Sequence, residues 1–268
     1  EPSTPSNTQH PRSDLQRLGA QPFMAPCECH AELPSTNDRA LELARQTDLE
    51  LPALVLTERQ SAGRGRGENA WWSTEGALTF SILLDAQEHG LTPERWPQVS
   101  LLTGLAICEA LDAFLPPGQL KLKWPNDVML AGKKLCGILS EIPPGSKGRM
   151  VVGMGINVNN LFDEAPPDVQ LRATSLTEAT DVHHDLNDIL VSVLQHIELE
   201  LNRLTENPLE FARRFRERCW LNGREVSIDS GFAEIQGYCQ SIDEAGALLV
   251  QTSTGTERIL SGTVTAIG

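Results

Sequence analysis

No apolar run in this 268-residue chain approaches the roughly 20 residues needed to cross a bilayer, so no membrane-spanning helix is expected. Basic residues are scarce: 22 Lys and Arg stand against 36 Asp and Glu, a formal net charge of -14. DNA and RNA are therefore poor candidates as main partners, because nucleic-acid binders carry a basic surplus where they make contact. The opening residues are polar and proline-rich and lack the charged-then-apolar pattern of a secretion signal. With no such signal, the six cysteines (Cys27, Cys29, Cys108, Cys136, Cys219, Cys239) read as reduced thiols of a cytoplasmic protein. Cys27-Glu28-Cys29-His30 has no second Cys/His pair at zinc spacing, so no structural metal is expected.

What is present centres on the stretch from Gln60 to Ser73. It places Gly63, Gly65 and Gly67 around Arg64 and Arg66, then runs into Trp71 and Trp72. Alternating glycines clear the main chain of Cβ atoms, and arginines supply forked, permanently charged donors. Such a loop suits an anion and could close over it.

The flanking elements follow from pattern. Ser35 is a plausible N-cap for a helix with Ala40, Leu43, Ala44 and Thr47 on one face. Strands are expected over 53–57 and 77–84, and a largely buried helix over 96–115. Leu120, Leu122 and Trp124 alternate with Lys121 and Lys123, and a hairpin over 128–141 follows the Asn126-Asp127 turn. Gly137 inside that hairpin implies a close neighbour. The strand over 150–157 contains Gly153-x-Gly155, but no helix follows at once, so it is no dinucleotide fingerprint. Residues 161–180 read as a Pro- and Asp-rich connection. Leu186, Ile189, Leu190, Val193, Leu194, Ile197 and Leu201 mark a long helix, and Asn207-Pro208 starts another. Five short strands punctuated by glycine close the chain as a small barrel. The expected division is a proline-rich, partly disordered arm (1–32), a catalytic unit (33–220) and a barrel (221–268).

Four blocks, in order, carry a resemblance: Ser35-Thr36-Asn37; Gln60-x-Ala62-Gly63-Arg64-Gly65-Arg66; Lys123-Trp124-Pro125-Asn126-Asp127 with Lys134-Leu135-Cys136-Gly137-Ile138-Leu139; and Gly153-x-Gly155-x-Asn157. The chain resembles the biotin–protein ligases. The resemblance implies an α+β fold, a mixed sheet flanked by helices of the class II synthetase/biotin–lipoate ligase type, with an SH3-like C-terminal barrel. It implies formation of biotinyl-AMP from biotin and ATP with Mg²⁺, then transfer to a lysine of a biotin carboxyl carrier protein or domain of acetyl-CoA carboxylase or a related carboxylase.

Carried onto this sequence, Ser35, Thr36, Asn37 and Gln60 would hold the biotin head. Arg64, Gly65 and Arg66 would close over carboxylate and phosphate, with Lys134 at the developing charge. Arg64, Arg66, Trp71, Asn126, Lys134 and Asn157 would serve the nucleotide. Lys134, Asp127 and Arg66 would be catalytic, Asp127 orienting or deprotonating the acceptor amine. No residue is assigned to the metal. Spacing alone leaves Lys133 and Lys134 equivalent, and only the resemblance selects Lys134. Glu68 and Asn69 depart from a loop that often continues through another Gly-Arg, which implies weaker retention of the adenylate. With no DNA-binding domain read before the catalytic unit, a ligase without repressor activity is expected. Open sheet edges leave room for a homodimer. A lipoate or octanoate ligase of the same fold is the alternative enzyme; a Gly-Arg RNA binder and a non-catalytic biotin store are the alternatives of another class.

Overall fold

The computed structural model describes residues 26–146 and 148–268. A seven-stranded sheet organises the first part, in the order β1-β2-β3-β7-β6-β5-β4. Its strands are β1 (Cys27–Leu33), β2 (Ala53–Gln60), β3 (Ala77–Asp85), β4 (Leu120–Lys123), β5 (Asp127–Leu130), β6 (Lys133–Glu141) and β7 (Arg149–Asn157). Only the β1–β2 pair is parallel; the others run antiparallel. The proline-rich arm assigned to 1–32 falls mostly outside the described residues. Where it is described it is corrected: β1 belongs to the sheet, because Cys27 and Cys29 turn inward against the core and the main chain pairs with β2.

Strand alternation gives the sheet two unlike faces. Leu54, Leu56, Phe80, Ile82, Leu84, Val152, Met154 and Ile156 point to one face and build the main core. Over it lie helices α2 (Gln98–Leu111) and, further on, α5 (Leu186–Glu206) and α6 (Pro208–Arg218). Helix α2 is apolar nearly all round and buried on most of its surface, as a helix between a sheet and another helix must be. Each fully buried Leu or Ile there contributes about 1.5–3 kcal/mol. On the opposite face the short helix α1 (Thr36–Leu43) packs Ala40 and Leu43 onto Ala53, Val55, Leu83 and Val151. Beyond α1 the residues on this face are small or polar, and a cleft opens.

The stretch 161–180 is not the bare connection its composition suggests. It holds α3 (Pro167–Arg172) and α4 (Leu176–Thr180). Helix α4 begins with a full capping box, Ser175 accepting from the Glu178 N–H while the Glu178 carboxylate accepts from the Ser175 N–H.

Strands β8 (Glu225–Asp229), β9 (Glu234–Ile242), β10 (Leu248–Thr252), β11 (Gly255–Ile259) and β12 (Thr263–Ile267) form a five-stranded antiparallel sheet, ordered β11-β10-β9-β8-β12. It stays open, with β11 and β12 as edges. The corner between them gives the Gly262 carbonyl to Arg66 of the loop after β2. Val226, Ile228, Ile242, Leu248 and Val250 join the main core cluster. No helix among the described residues is long and apolar enough to cross a membrane.

Candidate active site

The register of the large sheet lays out the cleft floor in two cross-strand rows. One runs Thr57, Thr79, Gly155, Gly137, Asp127, Lys123; the next runs Val55, Ser81, Gly153, Leu139. The glycines are places where something else must come close. A Cβ on Gly153 would lie 1.9 Å from the Asn37 Oδ1, and one on Gly155 would lie 2.3 Å from the Trp71 ring. Gly137 likewise faces Lys134 and Trp71. Gly153-x-Gly155 thus makes room for two side chains over the sheet.

A bulge decides which lysine faces the cleft. Val128 pairs with Cys136 but Met129 pairs with Lys134, so Leu135 is an extra residue in β6. Leu135 and Cys136 both turn into the core, and Lys134 is re-aimed to the cleft. Its Nζ sits 2.6 Å from the Asp127 carboxylate and 5.8 Å from the Trp71 ring centroid, within cation–π range. Lys133 stays exposed.

The loop after β2 is a small hairpin. Arg64 bridges Ala70, and the Trp71 N–H donates to the Gly63 carbonyl at 2.9 Å. Gly67, at φ 64°, sits inside the Arg66–Asn69 turn, where the left-handed backbone favours glycine. The Asn69 carboxamide donates to the Arg66 carbonyl at 2.7 Å and closes the turn. Trp71 then lies on Gly155 and Gly137, with its Nε1 donor buried and unpaired.

The twelve residues carried over by resemblance all line one cleft of about 560 Å³. They are Ser35, Thr36, Asn37, Gln60, Arg64, Gly65, Arg66, Trp71, Asn126, Asp127, Lys134 and Asn157. The volume falls within the roughly 300–1,000 Å³ usual for small-molecule sites.

Their side chains are differently engaged. Ser35 caps α1 through the Asp38 N–H. Gln60 Oε1 accepts from the Thr36 N–H at 2.7 Å. Asn37 is fully committed: its Oδ1 accepts from Ser81 at 2.6 Å, and its Nδ2 donates to the Leu139 carbonyl and to Glu141. Arg64 faces Glu141 rather than open cleft, bonding both carboxylate oxygens at 2.9 and 2.7 Å. Arg66 reaches Ser261 and Gly262 of the C-terminal sheet; burial lowers its pKa, against the pull of Asp127. The Asn126 carboxamide donates to the Ile138 carbonyl at 2.9 Å. Asn157 bonds the Lys134 carbonyl and accepts from Asn160.

The cleft also holds groups beyond the twelve. Lys123, a strand lysine by its pattern, lines it half-buried. Burial lowers its pKa, with Lys134 and Arg172 adding to the shift and Asp127 opposing it. Arg172 enters from the end of α3, and nothing in the local sequence marks it. Trp72 and Phe162 stack tilted at 5.9 Å between centroids, beside Val169 and Ala173, as an apolar wall. Four basic side chains (Arg66, Lys123, Lys134, Arg172) thus face two acidic ones (Asp127, Asp168), and Arg64 lines the cleft already paired with Glu141 and Asp38, in a chain whose net charge is -14.

Comparison with known proteins agrees with this geometry. Residues 30–159 match the Biotin/lipoate A/B protein ligase family, and residues 222–265 match the Biotin protein ligase C terminal domain. The chain is 32% identical to a biotin–[acetyl-CoA-carboxylase] ligase of Paracoccus denitrificans, over 85% of this chain and 95% of that protein. It is 29% identical to the ligase of the same description from Mycobacterium tuberculosis, over 93% and 92% of the two chains. Among solved structures, biotin protein ligase from Aquifex aeolicus in complex with biotin and ATP superposes with a TM-score of 0.77. Its identity is 34%, and the match covers 91% of this chain and 98% of that one. With the four motif blocks drawn into one basic cleft and the second domain matched in its turn, the chain belongs to the biotin protein ligase family.

Proposed function

We propose that the protein is an ATP-dependent biotin ligase, and that the cleft described above performs both half-reactions. The observation that carries this reading is the concentration of positive charge in one cleft of an acidic chain, over a floor of small and polar residues. In the first step a biotin carboxylate oxygen attacks the α-phosphorus of ATP, and pyrophosphate leaves. In the second, the acceptor lysine amine attacks the acyl carbon of biotinyl-AMP, the amide forms and AMP leaves. Neither step needs a covalent enzyme nucleophile; both need positioning and charge compensation.

Ser35 and Thr36 at the start of α1, and Gln60 at the end of β2, offer polar groups for the uncharged biotin head. Lys134, Lys123, Arg66 and Arg172 compensate charge on the carboxylate and phosphates. The Trp72–Phe162 wall suits the adenine ring. Asp127 orients the incoming ammonium and takes its proton; its contact with Lys134 keeps the two opposed charges side by side. Among the described residues no group of three or more His, Cys, Asp or Glu could cage a metal. Asp127 and Asp168 are the carboxylates lining the cleft, a donor set that fits Mg²⁺ arriving on ATP phosphates with its own waters. Held there, the ion would add to phosphate charge neutralisation.

The relatives from P. denitrificans and M. tuberculosis are ligases of acetyl-CoA carboxylase. The acceptor read for this chain is the biotin-carrying domain of such a carboxylase. Incubation with ATP, Mg²⁺, biotin and a carrier domain should add one biotinyl mass to the carrier lysine, and lipoate should not replace biotin. Transfer of lipoate without transfer of biotin contradicts the reading.

A further inference from the structure

We infer that Glu141 is a positioning residue of the ligase reaction, acting through Arg64. This rests on the reading of Arg64 as a substrate-contacting residue of the biotin site.

Arg64 is the first arginine of the glycine hairpin, and its expected role is to neutralise an anion. The structure gives it another. Its Nη1 and Nη2 donate to the two oxygens of Glu141 at 2.9 and 2.7 Å, and Nη2 also lies 2.7 Å from the Asp38 carboxylate. Two carboxylates therefore meet one guanidinium, and the trio carries a net negative charge. The hydrogen bonds to Glu141 are also the main cause of its raised pKa. The Arg64 Nε, by contrast, is buried with no partner, although a buried donor is rarely left unpaired. The fork is clamped from behind by three of the five guanidinium N–H groups, and the Nε–H and the second Nη1–H are left over on a side chain that lines the cleft.

Glu141 is itself fixed from the other side. Asn37 Nδ2 donates to its Oε2 at 2.7 Å and to the Leu139 carbonyl at 3.1 Å. The Asn37 oxygen is held by Ser81, whose hydroxyl also lies 2.7 Å from the Thr36 Oγ1. Thr36 in turn holds Gln60. Asn37 fits only because Gly153 beneath it has no side chain. A continuous path thus runs from the floor of the cleft, through Asn37 and Glu141, to the root of the hairpin. The asparagine of Ser35-Thr36-Asn37 spends its amide on orienting Glu141 and keeps none of it for substrate. Glu141 supplies a fixed bidentate acceptor, and only an arginine can use it while presenting a further N–H.

Biotin binding measured by calorimetry in the full chain tests this. Glu141→Gln, which keeps the shape and loses one acceptor oxygen, should weaken biotin binding about fivefold to tenfold, with a melting temperature near that of the unsubstituted protein. Arg64→Lys keeps the charge but has no fork, so it should lose affinity as Arg64→Ala does. The double substitution Glu141→Gln/Arg64→Ala should bind no more weakly than Arg64→Ala alone. Losses that multiply in the double variant, or Arg64→Lys binding like the unsubstituted protein, would overturn the inference. If Glu141→Gln proves unstable, Glu141→Asp takes its place in the cycle with the same expectation of non-additivity. Failure of the unsubstituted protein to bind biotin would overturn the ligase reading, and this inference with it.

Discussion

Lys123 and Lys134 share a cleft wall, yet the sequence treats them differently. Alternation placed Lys123 on a strand face, and nothing in its spacing separates an exposed lysine from a buried one; the partner strand and Arg172 decide that. Lys134 needed a bulge to reach the cleft, and one inserted residue in β6 is invisible to periodicity. Only the motif pointed to it. Lys123 has a testable signature. Its ammonium pKa is depressed by burial and by neighbouring cations, so with rising pH it loses its proton sooner than an ordinary lysine. The cleft then loses a charge that faces phosphate. The KM for ATP should therefore rise as the pH climbs, beginning below the range in which an ordinary lysine titrates. That limb should flatten in Lys123→Arg, whose guanidinium stays charged. Equal rises in both proteins would remove Lys123 from the phosphate site.

At the scale of elements, the glycines of β6 and β7 matter through what they admit. Trp71 rests on Gly155 and Gly137, and Asn37 on Gly153, so one strand with two missing side chains seats both the hairpin and the end of α1. Gly155→Ala should push Trp71 off the sheet, cost about 1–3 kcal/mol in denaturant unfolding and lower the rate of adenylate formation. Unchanged stability together with an unchanged rate would show that Trp71 does not need this seat. Long periodic elements such as α5 were legible from spacing because packing on one face imposes it. Helix α4 was also legible in principle: Ser175-x-x-Glu178 is a capping-box signature, masked by the prolines and aspartates around it. Strand β1 was harder, since its inward residues are two half-buried cysteines rather than branched aliphatics.

Over the whole molecule, charge and core tell where the function lies. A net charge of -14 argues against a general affinity for polyanions, yet four cations besides the carboxylate-paired Arg64 converge in one cleft. Composition reported the first fact, and only the fold could report the second, because those cations come from four separate segments of the chain. The C-terminal sheet shares the main core and lends β12 to the cleft, and Arg66 binds its Ser261–Gly262 corner. The five short strands read as an SH3-like barrel form the expected antiparallel sheet, with no pairing between β11 and β12 to close it. Adenylation and hairpin closure should then depend on both parts of the chain. The most direct measurement is exchange of labelled pyrophosphate into ATP by the full chain. Exchange that appears only when biotin is present is the predicted result; exchange without biotin, or none with it, contradicts the account.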